Sequence, residues 1–235
     1  MIDRKTIGIL GGMGPMATVE FFRRLVEATP AGSDQDHLHI LIDNDPSVPN
    51  RTDALLHDGP TPVPTLQAMA HRLADAGAQV LAMPCNTGHA YIDDIRAAVD
   101  VPIIDMIAET ARATSSARIG LLATDGTIES GLYHRAFHRH GIDVVVPGPD
   151  DRRTVMAAIA AIKAGEPLTP LEDRIAAVVG RLADAGAEAA IAACTELSLL
   201  SRERMPVRWI DALDVLVRST LRAAGVRIGE GEENA

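Results

Sequence analysis

Short apolar runs alternate with longer amphipathic stretches along the whole chain of 235 residues. The apolar runs predict β-strands over residues 6–10, 38–43, 79–83, 118–123, 143–146 and 188–192. The amphipathic stretches predict helices over residues 16–29, 64–76, 91–99, 129–140, 152–164, 170–185 and 211–224. Because strands that are apolar throughout are typical of parallel sheets covered on both faces, the pattern predicts an α/β fold.

A hexapeptide, Leu-Ala-Asp-Ala-Gly-Ala, occurs twice, at residues 73–78 and 182–187. Each copy leads through a short apolar run to one of the only two cysteines, Cys85 and Cys194. The copies lie 109 residues apart (182 − 73), and so do the cysteines (194 − 85). The spacing predicts two similar halves and a site built by duplication, with one sulfur presented from each half.

The first strands of the halves also match, since Ile-Gly-Ile-Leu at residues 7–10 resembles Ile-Gly-Leu-Leu at residues 119–122. We place the boundary near residues 101–105. The first α/β domain then comprises residues 1–102 plus 211–235, and the second comprises residues 103–210. The C-terminal helix is expected to return to the first half, because it begins after the second half is complete. Residues 229–235 are acidic and glycine-rich, and they predict a frayed tail.

The net charge of −10, from 22 basic and 32 acidic side chains, argues against nucleic acid or an anionic membrane as a partner. A small site can still be locally basic, so an anionic substrate fits. The chain shows no signal-peptide pattern and no apolar stretch long enough to span a bilayer, so we expect a cytoplasmic protein. In that compartment the cysteines are expected to be free thiols, and without a Cys-x-x-Cys pair no metal site is predicted.

Both cysteines stand where a predicted strand gives way to a loop and a helix. Ligands bind at this carboxyl edge of parallel sheets, and helix amino ends stabilise a thiolate or a carboxylate. A single cysteine among small residues more often fills a core, but two at matched positions beside threonines favour a chemical role. His89, four residues after Cys85, either tunes that thiol or orients its loop.

The loop Gly-Gly-Met-Gly-Pro over residues 11–15 follows the first predicted strand and precedes a helix. Its glycines fit a loose dinucleotide-binding pattern, but the acidic residue expected about 20 positions further on is not well placed. We therefore predict no bound cofactor. A turn that closely approaches a ligand is favoured instead, with Gly11 and Met13 at the site.

Other polar residues are candidates for binding. Arg51, in a proline-stiffened loop, can fork onto a carboxylate, although an ordinary solvated arginine is the simpler interpretation. Lys163 is the only lysine after Lys5, and the simplest role for it is to complement the carboxyl end of its helix. Thr124 and Thr127 follow the first strand of the second half, as the glycine loop follows that of the first, so they are expected to line the same cleft.

Five segments, spread over most of the chain, resemble the aspartate/glutamate racemase superfamily, and most closely its cofactor-independent aspartate racemase branch. They are residues 11–15, Asn-Arg-Thr at 50–52, Met-Pro-Cys-Asn-Thr at 83–87, Leu-Ala-Thr-Asp-Gly-Thr at 122–127 and Cys-Thr-Glu-Leu at 194–197. The two cysteine segments are the specific ones. The chain departs from the family at Gly88, where alanine is common, and at Ala193, where glycine usually precedes the second cysteine.

The resemblance implies two similar doubly wound parallel-sheet domains, related by pseudo-twofold symmetry, with the active site in the cleft between them. It implies racemisation of aspartate, or of glutamate, without a cofactor, by two cysteines acting on opposite faces of Cα. Cys194 is then expected to deprotonate the L-enantiomer and Cys85 the D-enantiomer, and the chain is expected to form a homodimer. The residues expected to hold the dicarboxylic substrate are Arg51, Lys163, Asn86, Thr87, Thr124, Thr127, Thr195, Glu196, Gly11 and Met13.

Several alternatives keep the fold but change the activity. One is a cysteine-dependent isomerase of unsaturated diacids, and another is a racemase of broad specificity. The presence of both cysteines argues against a decarboxylase that uses one. A protein that only binds amino acids is a further alternative, but it gives no chemical role to the two matched thiols beside polar donors.

Overall fold

The computed structural model describes residues 4–227, so the tail predicted over residues 229–235 lies outside the described residues. Within this part of the chain the strands form two parallel sheets, which confirms the predicted α/β fold. The first sheet has the order β2-β1-β3 and the second has the order β5-β4-β6-β7. The strands are β1 (Ile7–Gly11), β2 (Ile40–Asn44), β3 (Val80–Ala82), β4 (Arg118–Ala123), β5 (Asp143–Val145), β6 (Ala189–Ala193) and β7 (Arg208–Asp211).

Helices cover both faces of the two sheets. Short 3-10 turns occur at Asp34–Asp36, Thr87–Tyr91, Leu197–Leu199 and Arg202–Arg204. The α-helices are α1 (Pro15–Ala28), α2 (Arg51–Leu56), α3 (Val63–Asp75), α4 (Ile92–Arg96), α5 (Met106–Ala113), α6 (Asp125–Glu129), α7 (Leu132–His138), α8 (Pro149–Lys163), α9 (Thr169–Asp184) and α10 (Ala212–Ala223). None of the helices within residues 4–227 has the length and apolar character needed to cross a membrane.

The duplication extends to the outer edge of each sheet. In the second half β7 pairs with β6, and in the first half a single parallel bridge from Leu81 to Ile103 takes the same place. A helix capped by an aspartate follows in both halves. Asp105 accepts a hydrogen bond from the backbone N–H of Ala108 at 3.0 Å, and Asp211 accepts one from that of Leu213 at 2.8 Å. The halves therefore share their strand order and their closing turn, as pseudo-twofold symmetry requires.

Five elements differ from the sequence prediction. No strand was predicted over residues 208–211, which form the fourth strand of the second sheet, β7. This edge strand has only two apolar residues, so it gives little periodic signal. The short helices α2, α5 and α6 were not predicted, for a similar reason. The helix predicted over residues 129–140 is α7 alone, because Gly131 has a φ of 66° and separates it from α6.

The repeated hexapeptide is the end of a helix in each half. In the first copy, the backbone N–H of Ala78 donates to the carbonyl of Leu73 at 3.0 Å, and Gly77 donates to Ala74 at 2.9 Å. This pair of bonds is a Schellman motif, and it requires a left-handed residue, which is Gly77 with a φ of 98°. The second copy, ending α9, repeats both bonds and has Gly186 at the left-handed position.

The leucine of each hexapeptide packs on the central strand of its own sheet. A Cβ added to Gly120 in β4 would lie 2.9 Å from Leu182 Cδ1, and one added to Gly8 in β1 would lie 3.3 Å from Leu73 Cβ. Strand glycine and hexapeptide leucine thus form a matched contact in both halves. The repeat is therefore the same packing unit in both halves. The position of the cysteine that follows each copy depends on that unit.

Two helices cross between the halves. Helix α5 follows the first sheet, yet its Ile107 and Ala111 pack in a cluster with Tyr133 of the second half. Helix α10 follows the second sheet, yet its Leu213 packs in a cluster with Phe21 of the first half. The two helices also contact each other, so an exchanged pair joins the halves. The domain boundary near residues 101–105 stays a prediction.

We predict that Gly77→Ala destabilises the protein by about 1–2 kcal/mol, because alanine must adopt a left-handed backbone to preserve the Schellman motif. An added Cβ meets no atom within 4 Å, so the backbone conformation is the whole cost. Urea denaturation followed by circular dichroism measures the shift in midpoint.

Gly180→Ala is the matched control, since Gly180 lies inside α9 with open space around it and no left-handed backbone. The free energy of unfolding of this variant is expected to rise by about 0.5–1 kcal/mol, because alanine has a higher helix propensity than glycine. Equal midpoints for the two variants would contradict the assignment of Gly77 as a conformational requirement.

Candidate active site

The two cysteines lie at the carboxyl edges of the two sheets. Cys194 directly follows β6, and Cys85 lies three residues beyond the end of β3. Both side chains are buried, and both line one small cavity of about 40 Å³. The structure therefore brings together one thiol from each half. This cavity adjoins a wider one of about 500 Å³, which shares Asn50, Thr52, Thr124 and Lys163 with it.

Most of the residues selected from the sequence line the small cavity. They are Met13, Arg51, Cys85, Asn86, Thr87, Thr124, Lys163, Cys194, Thr195 and Glu196. Gly11 and Thr127 do not line it. Gly11 ends β1 and faces Thr18, whereas Thr127 lies behind the wall. Asn50 and Thr52 line the cavity without having been selected, although they flank Arg51 in the segment that carried the resemblance.

Three threonine hydroxyls join the halves at the cavity wall. Thr87 Oγ lies 2.9 Å from both Thr124 Oγ and Thr127 Oγ, and the latter two lie 3.0 Å apart. Thr124 also caps α6 by accepting the backbone N–H of Thr127 at 3.2 Å. Thr127 was expected from the sequence to contact substrate. In the structure it instead supports Thr87 and Thr124 by hydrogen bonds.

Tyr133 fixes the orientation of the Asn86 amide. Its hydroxyl donates to Asn86 Oδ1 at 2.5 Å, and burial raises the pKa of Tyr133, so it remains a donor. The amide nitrogen of Asn86 is buried without a hydrogen-bond partner. Since Asn86 lines the cavity, this arrangement offers an unused N–H donor to a bound ligand. No local pattern marks Tyr133 as the partner of Asn86, because the two lie 47 residues apart.

Arg51 carries a positive charge that no carboxylate within residues 4–227 neutralises by an ion pair. Its terminal nitrogens donate to the carbonyls of Val48 at 3.2 Å, Pro49 at 3.1 Å and Met13 at 3.3 Å. Its Nε is buried without a partner. Carbonyl oxygens hold the guanidinium in place but leave its charge available, which suits a site for an anionic ligand.

Cys194 is bound to an acidic neighbour. Its Sγ donates a hydrogen bond to Glu196 Oε2 at 2.9 Å, and the other carboxylate oxygen lies 3.6 Å from Lys163 Nζ. Burial raises the pKa of the Cys194 thiol well above its ordinary value, and the Glu196 carboxylate raises it further, while Lys163 acts in the opposite direction. These surroundings hold Cys194 as a protonated thiol.

Cys85 has different surroundings. Its Sγ accepts the backbone N–H of Gly88 at 3.4 Å, at the start of the 3-10 turn Thr87–Tyr91. A Cβ added to Gly88 would lie 3.3 Å from this sulfur and 3.0 Å from Met83 Sδ, so the glycine leaves room around the thiol. Within residues 4–227 no carboxylate accepts a hydrogen bond from Cys85 as Glu196 does from Cys194.

His89 orients the loop that carries Cys85. Its Nδ1 lies 2.8 Å from the carbonyl of Cys85, and its Nε2 accepts the backbone N–H of Met106 at 3.1 Å. One partner can only accept and the other can only donate, so the ring is neutral with its proton on Nδ1. Burial lowers the pKa of His89, in agreement with this state. Of the two roles considered for His89, the structure favours orientation.

The glycine loop approaches protein backbone. Gly12 has a φ of 93°, and a Cβ placed there would lie 2.4 Å from the backbone of Asp45. The loop therefore packs on the segment that leads to Arg51. Met13 of the same loop lines the small cavity, so the expected approach of this turn to a ligand stays a prediction. Within residues 4–227 no cluster of three histidine, cysteine or acidic side chains could hold a metal ion.

The chain is similar to known proteins both in sequence and in structure. The chain is 27% identical over 222 residues to the broad specificity amino-acid racemase RacX of Bacillus subtilis, covering 92% of this chain and 96% of the relative. The aspartate racemase of Picrophilus torridus superposes with a TM-score of 0.87 at 29% identity over 97% of each chain. An Asp/Glu racemase structure from Yersinia pestis, itself assigned only provisionally, gives 0.80 at 27% identity, over 94% of this chain and 99% of that one.

The sequence profile of one family extends over both halves and both cysteines. It matches residues 10–220 and is described as Asp/Glu/hydantoin racemase. The chain belongs to the Asp/Glu/hydantoin racemase family.

Proposed function

We propose that this protein interconverts the L- and D-enantiomers of aspartate, or of glutamate, by a two-base proton transfer that needs no cofactor. The observation that carries the proposal is the placement of Cys85 and Cys194, from opposite halves, on one cavity with Arg51 and Lys163. Inversion of a carbon centre needs a base on one face and an acid on the other. A duplicated fold supplies two such groups.

The proton and electron balance closes without a further reactant. One cysteine, as thiolate, takes the α-proton, and the electron pair of the Cα–H bond remains on the substrate as a carbanion. The opposite thiol then gives its proton to the other face of Cα and becomes the thiolate. The product is the mirror image of the substrate, and the two sulfurs have exchanged protonation states.

The carbanion needs strong electrostatic stabilisation, because an α-proton beside a carboxylate is very weakly acidic. The unpaired Nδ2 of Asn86 and the guanidinium of Arg51 supply preorganised donors whose positions Tyr133 and three carbonyl groups fix. Lys163, half-exposed at the end of α8, adds a second cation. Two cations and one carboxylate on the cavity wall favour a substrate with two carboxylates.

The two cysteines are proposed to act unequally. Because Cys194 donates its proton to a hydrogen bond with Glu196, Cys194 begins the reaction as the acid and Cys85 begins it as the base. By the family resemblance, Cys85 removes the proton of the D-enantiomer. The resting protein is therefore prepared for D-aspartate, and conversion of L-aspartate requires the proton to move from Cys194 to Cys85 before the reaction.

A racemase of broad specificity is the second candidate. It is supported by the similarity to RacX, which extends over 92% of this chain. A screen of chiral products across acidic, small and aliphatic amino acids separates the two candidates.

Assembly as a homodimer and location in the cytoplasm stay predictions. Light scattering at several protein concentrations tests the first of them.

The cofactor-free protein in D₂O tests the two-base proposal. Starting from L-aspartate, the D-aspartate formed early is expected to carry deuterium at Cα, while the remaining L-aspartate does not. Cys85→Ala and Cys194→Ala are each expected to lower racemisation by about 10²–10⁴-fold or more. Circular dichroism checks that the variants are folded. Equal early labelling of both enantiomers would indicate one shared base and overturn the mechanism.

Glu196→Gln is expected to lower the pKa of Cys194, because the variant lacks the negative charge that disfavours the thiolate. Thiolate ultraviolet absorbance against pH measures the shift, in a Cys85→Ala background that removes the other thiol. Asp53→Asn, an exposed carboxylate on the wider cavity, is the control and should leave the titration unchanged. A pKa that stays constant or rises in the Gln variant would be evidence against the role given to Glu196.

Arg51→Gln and Lys163→Gln are expected to lower kcat/KM for aspartate by about 10- to 100-fold, the worth of a charged hydrogen bond. Activity toward alanine, where the protein has it, should fall much less. Arg152→Gln is the matched control, because Arg152 lies on the wider cavity and pairs with Asp125 and Glu129. Equal losses for aspartate and alanine would show that these cations do not select a dicarboxylic substrate.

A further inference from the structure

The turns that follow the two cysteines are tied to the exchanged helices at the same position in each half. His89 and Ser198 each lie four residues after a cysteine (89 − 85 and 198 − 194). His89 accepts a hydrogen bond from the backbone N–H of Met106, the first residue of α5. Ser198 donates its hydroxyl to Asp211 Oδ1 at 2.6 Å, and Asp211 caps α10. Each cysteine turn is therefore connected to the amino end of a helix that crosses to the other half.

In the second half this connection is reinforced by Arg24 of α1, which belongs to the first half. The Arg24 guanidinium donates to the carbonyl of Ser198 at 2.6 Å and to Asp211 Oδ2 at 2.6 Å. It also pairs with Asp214 at 2.5 Å and with Glu20 at 2.6 Å. Ser198 is thus held twice, by its hydroxyl through Asp211 and by its carbonyl through Arg24.

These contacts are shielded from water. Ser198 and Asp211 are buried, and the side chain of Arg24 is only 14% exposed. Hydrogen bonds between charged groups are stronger when little water competes for them, and a buried group that loses its partner is destabilised. The contacts at Ser198 are therefore expected to fix the position of its backbone closely.

The turn held at Ser198 carries both Cys194 and Glu196. The backbone N–H of Leu197 donates to the carbonyl of Cys194 at 2.9 Å, and that of Leu199 donates to the carbonyl of Glu196 at 3.1 Å. Ser198 lies between these two donors. A displacement of Ser198 therefore moves the Glu196 carboxylate relative to Cys194 Sγ, from which it accepts a hydrogen bond at 2.9 Å.

Helix α1 also approaches this turn at its amino end. A Cβ added to Gly14, the residue that precedes the helix, would lie 3.8 Å from Glu196 Oε1. Arg24 lies ten residues further along the chain (24 − 14) and binds Ser198. One helix of the first half therefore lies against the Cys194 turn at two separate points.

We propose that Ser198, Asp211 and Arg24 are positioning residues, which hold the Glu196 carboxylate beside the Cys194 thiol as His89 holds the loop of Cys85. This inference rests on the proposed function, in which Cys194 begins the reaction as the acid. None of the three residues lines the cavity that holds the two cysteines, so they act through the turn and not by contact with substrate. Because Arg24 belongs to the first half, the geometry at Cys194 depends on both halves.

Ser198→Ala tests the proposal, because it removes the hydroxyl without changing any charge. The charged side chains on the cavity of Cys194 are all retained in this variant. They are Arg51, Lys163 and Glu196. With Glu196 held less firmly beside the sulfur, the pKa of Cys194 is expected to fall by about one unit, which corresponds to the weakening of one hydrogen bond. Thiolate ultraviolet absorbance against pH, in the Cys85→Ala background, measures this change.

Ser219→Ala is the matched control for this titration. Ser219 is also buried and also donates to a carboxylate, that of Glu109 at 3.1 Å, but it lies within α10 and bonds to α5. The control is expected to leave the pKa of Cys194 unchanged. An unchanged pKa in Ser198→Ala, or an equal change in both variants, would overturn the proposal. The titration needs no substrate, so its outcome is independent of whether the protein racemises aspartate.

Arg24→Ala tests the second contact by chemical rescue. The variant is expected to lower kcat/KM for racemisation by about 10-fold or more, the worth of a charged hydrogen bond. Arg24 lines a surface cavity of about 210 Å³, so a guanidinium ion from solution can reach the place of the missing side chain. Guanidinium, at concentrations far below those that denature proteins, is expected to restore part of the activity.

Arg202→Ala is the control for Arg24→Ala. It removes the same charge and a contact with Asp214 at 3.2 Å, but Arg202 does not bond to Ser198. Its activity is expected to stay near that of the unchanged protein, with or without guanidinium. Circular dichroism checks that both variants are folded. Equal losses in the two folded variants, or no rescue of folded Arg24→Ala, would show that Arg24 does not act by holding the Cys194 turn.

Discussion

The exchange of helices between the halves is the interaction on which the cleft depends. Helix α5 leaves the first sheet and packs on the second, and α10 leaves the second sheet and packs on the first. Each half thus completes its core with a helix from the other, so the relative position of the halves is fixed by hydrophobic packing. Two sulfurs can face one small cavity only if that position is well defined. The polar contacts across the cleft act on a geometry that the cores have already set.

Hydrogen bonds then refine the cleft. The threonine triangle and the Tyr133–Asn86 bond both connect the first half to the second, beside the loop that follows β3. The three threonine hydroxyls bond to one another, and the Tyr133 hydroxyl bonds to the oxygen of Asn86. The amide nitrogen of Asn86 and the Nε of Arg51 stay unpaired. Polar groups buried without partners are costly, and the fold retains them where a charged ligand can supply the missing bonds.

Much of this arrangement could be predicted from the sequence. The central strands were predicted because long apolar runs dominate their pattern, and the cysteines were selected because a repeated hexapeptide precedes each of them. The short elements α2, α5, α6 and β7 were not, since fewer than ten residues give little periodicity and tertiary contacts decide their state. Tyr133 was missed for a different reason. Its partner lies 47 residues away, and no local pattern marks a tyrosine whose function is to hold an amide.

The unequal surroundings of the two thiols have a limit that thermodynamics imposes. Mirror-image amino acids have equal free energy in water, so the equilibrium constant between them is one whatever Glu196 does to Cys194. If the protein is a racemase, a faster kcat in one direction must be offset by a proportionally higher KM in that direction. The carboxylate beside one sulfur therefore cannot enrich either enantiomer. The value of kcat/KM is the same in both directions. The carboxylate determines how that value is divided between KM and kcat in each direction.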